Sequence, residues 1–189
     1  MNLQRTLLLA SALSAHLVAH ADEVSWQAAA EQSRLEFIAT QAGAKFTGAF
    51  ADYTAAIRFD PDELNGSRFD VTIATRSVDT ADAERDDIIR GPDLFAVERF
   101  PQARYVAERF AETAEGYVAR GQLTLRDETQ TVPVHFTFER DDAGARLRGH
   151  ARFQRLDFGI GQGEWQDTQW VGNEVEVRFD LRLVPAATH

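Results

Sequence analysis

"EVEVRFDLRLV", residues 174–184, alternates without a break. Val175, Val177, Phe179, Leu181 and Leu183 are apolar, and Glu174, Glu176, Arg178, Asp180 and Arg182 between them are charged. Successive side chains of a strand point to opposite faces, so this period of two marks one oily side and one wet side. "TVPVHFTFER" (131–140) repeats the pattern with Val132, Val134, Phe136 and Phe138. It recurs in "RFDVTIATR" (68–76), "YVARGQLTLRD" (117–127) and "ARLRGHARFQRLDF" (145–158). "SRLEFIAT" (33–40) and "AKFTGAFADYTAAIRFD" (44–60) also read as strands, the second bending at Gly48 or near Asp52. Turn formers in "DPDELNGS" (60–67), "ETAEG" (112–116), "RDETQ" (126–130) and "RDDAGA" (140–145) make hairpin connections.

The pattern gives about eight strands in sequential antiparallel order. Each has one apolar face, so the sheet buries one side only. Too little helix is present to cover a large sheet, and closing it into a barrel removes its exposed edges. The expected fold is an all-β, eight-stranded antiparallel barrel. Its inward set mixes Phe with Ala and Gly, which is compatible with a cavity.

One segment breaks the alternation. "DTADAERDDIIR" (79–90) opens with Asp79 and Thr80, either of which suits an N-cap, and continues with Asp82, Glu84, Asp86 and Asp87 near the positive end of a helix dipole. Arg90 stands at the other end, and Gly91-Pro92 stops the helix. The spacing predicts one short helix over about 81–90. Ile88, Ile89, Leu94, Phe95, Val97 and Phe100 follow in quick order. Such a cluster covers an open barrel end, either as a plug that completes the core or as a lid on a ligand cavity. A second unusual stretch, "RLDFGIGQGEWQDTQWVGNEV" (155–175), carries Gly159, Gly161 and Gly163, then Trp165 and Trp170. It lacks the strand–loop–helix context of a phosphate loop, so nucleotide binding is rejected. Its tryptophans either fill core or line an apolar mouth.

The 189-residue chain begins like a secretory signal peptide: Arg5, an apolar run from Thr6 to Val18, then Ala19-His20-Ala21. The run is too short to span about 30 Å of hydrocarbon. Residues 1–21 are therefore read as a signal peptide cleaved after Ala21, and residues 22–189 as one barrel domain. Without Arg5 the mature chain has 19 basic and 30 acidic residues, a net charge of −11. That charge argues against nucleic acid as a partner. No cysteine is present, so neither disulfides nor thiolate metal sites arise. His135 and His150 lie on polar strand faces and His189 is terminal, which makes no metal site. There is no G-x-S-x-G elbow, and nothing selects a catalytic carboxylate pair. A binding protein without enzymatic activity or cofactor is the expectation.

"SRLEFIATQAGAKFTGAFADYTAAIRFDP", "SVDTADAERDDIIRGPDLFAVERFPQARY", "GQLTLR" and "LDFGIGQGEWQDTQWVGNEV", in this order and spacing, resemble the YceI-like polyisoprenoid-binding family. The resemblance runs from about Val24 to Val184. It implies a lipocalin-like, extended barrel holding a long isoprenoid chain of polyprenyl or quinone type, with Phe95 and the helix as part of its cover. It also implies an exported, commonly periplasmic and often dimeric protein with no established catalytic chemistry. On such a barrel the candidate lipid contacts from the strands are Phe37, Phe46, Phe50, Tyr53, Ile73 and Leu123, with Phe136, Phe138, Phe153 and Phe179. The cover adds Ile88, Phe95 and Phe100, and the glycine loop adds Phe158, Trp165 and Trp170. Arg90 and Arg155 are the candidates for a charged headgroup, helix capping being the other role open to Arg90. The chain departs from the family at Asp127-Glu128-Thr129, where a Gly-Val-Thr-like turn is common. It also has Gln32 before Ser33, and Thr40-Gln41-Ala42-Gly43, where many members carry His. Other readings are a site for a different amphiphile, such as a fatty acid or fatty amide, and an accessory protein that docks onto a membrane redox protein.

Overall fold

The computed structural model describes residues 25–186. Residues 1–21, expected to be a signal peptide cleaved after Ala21, and His189 lie outside the described residues. The alternating segments at 33–40, 44–60 and 68–76 become β2 (Arg34–Gln41), β3 (Ala44–Phe50), β4 (Tyr53–Arg58) and β5 (Arg68–Ala74), and the structure adds β1 (Ser25–Ala28) before them and β6 (Val78–Asp79) after them. After helix α1 (Ala83–Arg90) come β7 (Gln102–Thr113), β8 (Gly116–Leu125), β9 (Glu128–Asp141), β10 (Gly144–Gln154) and β11 (Glu174–Pro185). All pairings are antiparallel. They run β1-β4-β5-β7-β8-β9-β10-β11, and β11 returns to β1. The result is a closed ring of eight, as the alternation predicted.

The remaining three strands are continuations of three in the ring. β11 pairs low down with β1, through Trp26 and Pro185, and higher up with β2, through Phe37 and Val177. β3 pairs with β2 and β6 just as β4 pairs with β1 and β5. So β1/β2, β3/β4 and β5/β6 are three bent strands. A 3₁₀ turn (Ala30–Gln32) makes the first bend, where the Ser33 hydroxyl donates to the Ala29 carbonyl at 2.7 Å and accepts from Arg182 N–H at 3.0 Å. The second bend falls at residues 51–52, the later of the two expected places. Gly48 stays within β3, where any Cβ would strike the Phe37 ring.

Helix α1 is capped by Asp82, not by Asp79 or Thr80: the Asp82 carboxylate accepts from Arg85 N–H at 3.1 Å. Thr80 is instead tied to buried Asp86, which accepts from its N–H at 2.9 Å and its hydroxyl at 2.7 Å. The backbone thus has a reason to turn at Thr80 before the helix begins.

The barrel interior divides into two parts. At the end away from α1, Phe59 sits among Phe69, Phe110, Tyr117, Phe136 and Phe138, with ring centroids 4.9–6.1 Å from its own. Trp26 packs on Phe138 at 6.2 Å. This end is solid. The outer faces are wet and laced by cross-strand ion pairs, such as Arg104–Asp70 at 2.6 Å and Arg152–Glu176 at 3.3 Å. Pairs this exposed add little stability, but they suit the register.

Candidate functional site

Above the aromatic plug the barrel holds a cavity of about 210 Å³. Strand parity makes its wall. Leu35, Phe37 and Ala39 of β2 face inward, as do Tyr105 and Ala103 of β7, Leu123 and Leu125 of β8, and Leu147 and Ala151 of β10. Ile57 and Phe69 form the floor above the plug. Ile89 comes from α1, Leu94 and Phe95 from the turn after it, and Ile160 from the glycine loop; together they close the upper end. The Phe95 ring stands 6.0 Å from Phe50, and Phe50 stands 5.5 Å from Phe37. The surface facing the void is apolar throughout. The void is smaller than the roughly 300–1,000 Å³ of common ligand pockets. A long chain must therefore swing aside wall rings such as Phe46 and Phe95, or leave part of its length outside.

The cover is held by backbone bonds as well as by packing. Asp93 C=O accepts from Gly161 N–H at 2.8 Å and from Gln162 N–H at 2.9 Å, joining the helix turn to the glycine loop. Arg126 donates to the Leu94 and Pro92 carbonyls, which ties in the β8–β9 hairpin. Trp170 C=O accepts from Ala42 N–H at 2.8 Å, linking the same loop to the β2–β3 hairpin. A cleft lined by Gln41, Asp82, Glu84, Arg85, Ile88 and Trp165 shares Phe46, Ile89, Leu94 and Val171 with the chamber. This is the mouth.

Nine of the sixteen residues expected to touch lipid line the chamber: Phe37, Phe46, Phe50, Tyr53, Ile73, Phe95, Leu123, Phe153 and Phe179. Phe136 and Phe138 lie in the plug. Phe158 is buried behind Phe153, edge-on at 5.2 Å. Phe100 lies outside, under the guanidinium groups of Arg99 and Arg126. Ile88 and Trp165 border the mouth, while Trp170 is 54% exposed on the surface. The glycine loop thus sends one tryptophan to the mouth and neither into the chamber.

Both headgroup candidates are otherwise engaged. Arg90 does not cap its own helix. Its Nε donates to Arg76 C=O at 3.1 Å, its Nη2 to Val78 C=O at 2.5 Å, and its Nη1 meets Asp87 at 3.3 Å. Arg155 is 3% exposed and has no carboxylate partner among the described residues. Its Nε donates to Gly172 C=O at 3.0 Å, its Nη1 to Ile160 C=O at 2.8 Å and its Nη2 to Val171 C=O at 2.8 Å. Burial draws its pKa down. Arg155 therefore clamps both arms of the glycine loop, and Gly161 allows this, because a Cβ there would overlap the guanidinium.

Two tyrosines belong to the wall. The Tyr105 hydroxyl donates within reach of the Ala119 and Val132 carbonyls, at 3.2 and 3.1 Å, and burial raises its pKa. The Tyr53 hydroxyl is buried without a hydrogen-bond partner among the described residues. Burial raises its pKa too, and the neighbouring Ser33 hydroxyl draws it part-way back. An unpaired buried hydroxyl costs about 1–3 kcal/mol. Tyr53→Phe is therefore expected to raise the melting temperature by a few degrees in thermal unfolding followed by circular dichroism. A lower melting temperature would show that Tyr53 bonds to Ser33.

Parity alone would have found Leu35 and Tyr105, which the sequence reading left out of the site. Ile160 and Leu94 sit in irregular backbone, where no period marks them.

The sequence profile of the YceI-like domain family matches residues 26–183. The chain belongs to the YceI-like family. Among solved structures, this YceI-like protein is similar to BcnA of Burkholderia cenocepacia, with a TM-score of 0.78 and 30% identity over 82% of this chain and 98% of that one. It shares its fold with a polyisoprenoid binding domain from Saccharophagus degradans, with a TM-score of 0.69 and 14% identity over 86% of this chain and 99% of that one. Among curated proteins, a UPF0312 protein of Yersinia enterocolitica is 37% identical over 87 residues, which are 46% of this chain and 45% of that protein. The match thus spans less than half the length of that curated relative.

Proposed function

We propose that this YceI-like protein encloses the hydrocarbon chain of an isoprenoid lipid, of polyprenyl or quinone type, and acts by binding rather than by catalysis. The observation that carries this reading is a chamber with an apolar surface beneath a cover of helix and loop. The Saccharophagus domain of the same fold, described as polyisoprenoid binding, supports it. Apolar surface withdrawn from water contributes about 25 cal/mol per Å². A few hundred Å² of prenyl chain then gives on the order of 10 kcal/mol before ordering costs. The leader-like residues 1–21 support export, and we place the protein in the periplasm.

Solvent extraction of the purified protein followed by mass spectrometry tests the reading. A copurifying isoprenoid is the expected result, and a saturated acyl chain would point to a fatty acid or fatty amide instead. Phe95→Asp sets a carboxylate in the ceiling of an apolar chamber. Lipid recovered per folded molecule should fall at least tenfold, while folding yield falls less. Retention equal to the parent's would remove the cover from the binding site.

A further inference from the structure

We infer that the lipid held by this protein carries an uncharged end group, and that the protein discriminates against prenyl phosphates and diphosphates. This rests on the lipid-binding reading above. Three independent observations converge on it.

The first is the chamber surface, which offers no polar atom to a ligand. A diphosphate drawn inside would lose its water and gain no donor, a cost that the tail's burial cannot offset. The end group therefore stays at the mouth or is itself weakly polar.

The second is the state of the arginines. Binding a diphosphate calls for free guanidinium or ammonium groups. Arg155 spends three N–H donors on carbonyls of its own loop, and Arg90 spends its donors on Arg76, Val78 and Asp87. Arg85, the cation in the mouth itself, is paired with Asp82 at 3.1 Å and lies over the Phe46 ring. None is left facing the route that a headgroup would take.

The third is the charge around the opening. Glu84 lines the mouth cleft, and Glu84, Asp87 and Asp93 line the adjoining groove along α1 beside Trp165. Glu84 and Asp93 have no ion pair with any described residue. A multiply charged anion at this opening meets repulsion that salt only partly screens.

The test uses the delipidated mature protein with three probes: geranylgeraniol, geranylgeranyl diphosphate and squalene. The first two share one tail and differ in charge, and squalene reports hydrocarbon binding alone. Affinities are read by equilibrium partition between protein and neutral detergent micelles. At low ionic strength the alcohol should bind at least about tenfold more tightly than the diphosphate, and the gap should narrow as salt is added. The double variant Glu84→Gln/Asp93→Asn should bring diphosphate binding severalfold closer to the alcohol's, a gain larger than any change it makes to alcohol or squalene binding. Diphosphate bound as tightly as the alcohol by the parent would overturn the inference while leaving the lipid-binding reading intact. So would a double variant that shifts all three probes equally. Failure of all three probes to bind would overturn the lipid-binding reading itself, and this inference with it.

Discussion

Arg155→Met is expected to lower the unfolding free energy by about 3–5 kcal/mol, the range for breaking a buried charged network. Methionine keeps much of the arginine's bulk but offers no donor. The Ile160, Val171 and Gly172 carbonyls would each lose a partner in a place water reaches poorly. Arg155→Lys should rescue little of this, because one ammonium on a flexible stem cannot hold three carbonyls that a planar fork spans. Denaturant unfolding measures the loss. Amide exchange shows where it acts, with residues 159–172 losing protection before the β7–β10 wall does. A loss below 1 kcal/mol, or exchange that rises evenly over the barrel, would mean that the clamp is incidental.

The second large effect is expected at the other end. Phe59 is 1% exposed and meets five aromatic rings. Removing such a ring leaves a cavity that rigid strands close poorly, so Phe59→Ala should cost about 3–5 kcal/mol. Phe59 does not line the chamber. Molecules that still fold should therefore keep lipid at nearly the parent's level. Phe95→Asp should show the reverse pattern, losing lipid more than stability. Together the two variants separate the plug from the chamber. A Phe59→Ala protein that folds well but loses its lipid would mean that the two regions are one.

The barrel was legible because its strands each have one wet face, and apolar residues alternate with charged ones along β11 and with mostly polar ones along β9. The bends were less legible. A break in a strand needs no glycine when a 3₁₀ turn and a serine side chain can take up the backbone groups, as Ser33 does. Gly48 looked like a bend because glycine bends chains, yet here it gives space to Phe37. The site was legible where parity applied. Phe37, Tyr53, Ile73 and Leu123 reach the wall because inward residues of a barrel have nowhere else to go. Parity gives direction but not height, so Phe136 and Phe138 point inward and still end below the chamber. In the irregular segments neither was readable. Arg90 and Arg155 were natural headgroup candidates until the carbonyls they serve, which in both cases lie in a distant part of the backbone or across a loop, could be seen.

The three bends lie side by side, for Ala51 N–H donates to Ser77 C=O at 3.2 Å and Ala74 N–H to Asp52 C=O at 3.0 Å. On that flank the upper and lower storeys of the molecule meet at a seam, whereas β11 runs past the same level unbroken, pairing with β1 below the first bend and with β2 above it. Stiffness is therefore lopsided. A bulky guest would be accommodated by tilting one flank outward, with the base and the opposite flank keeping their shape.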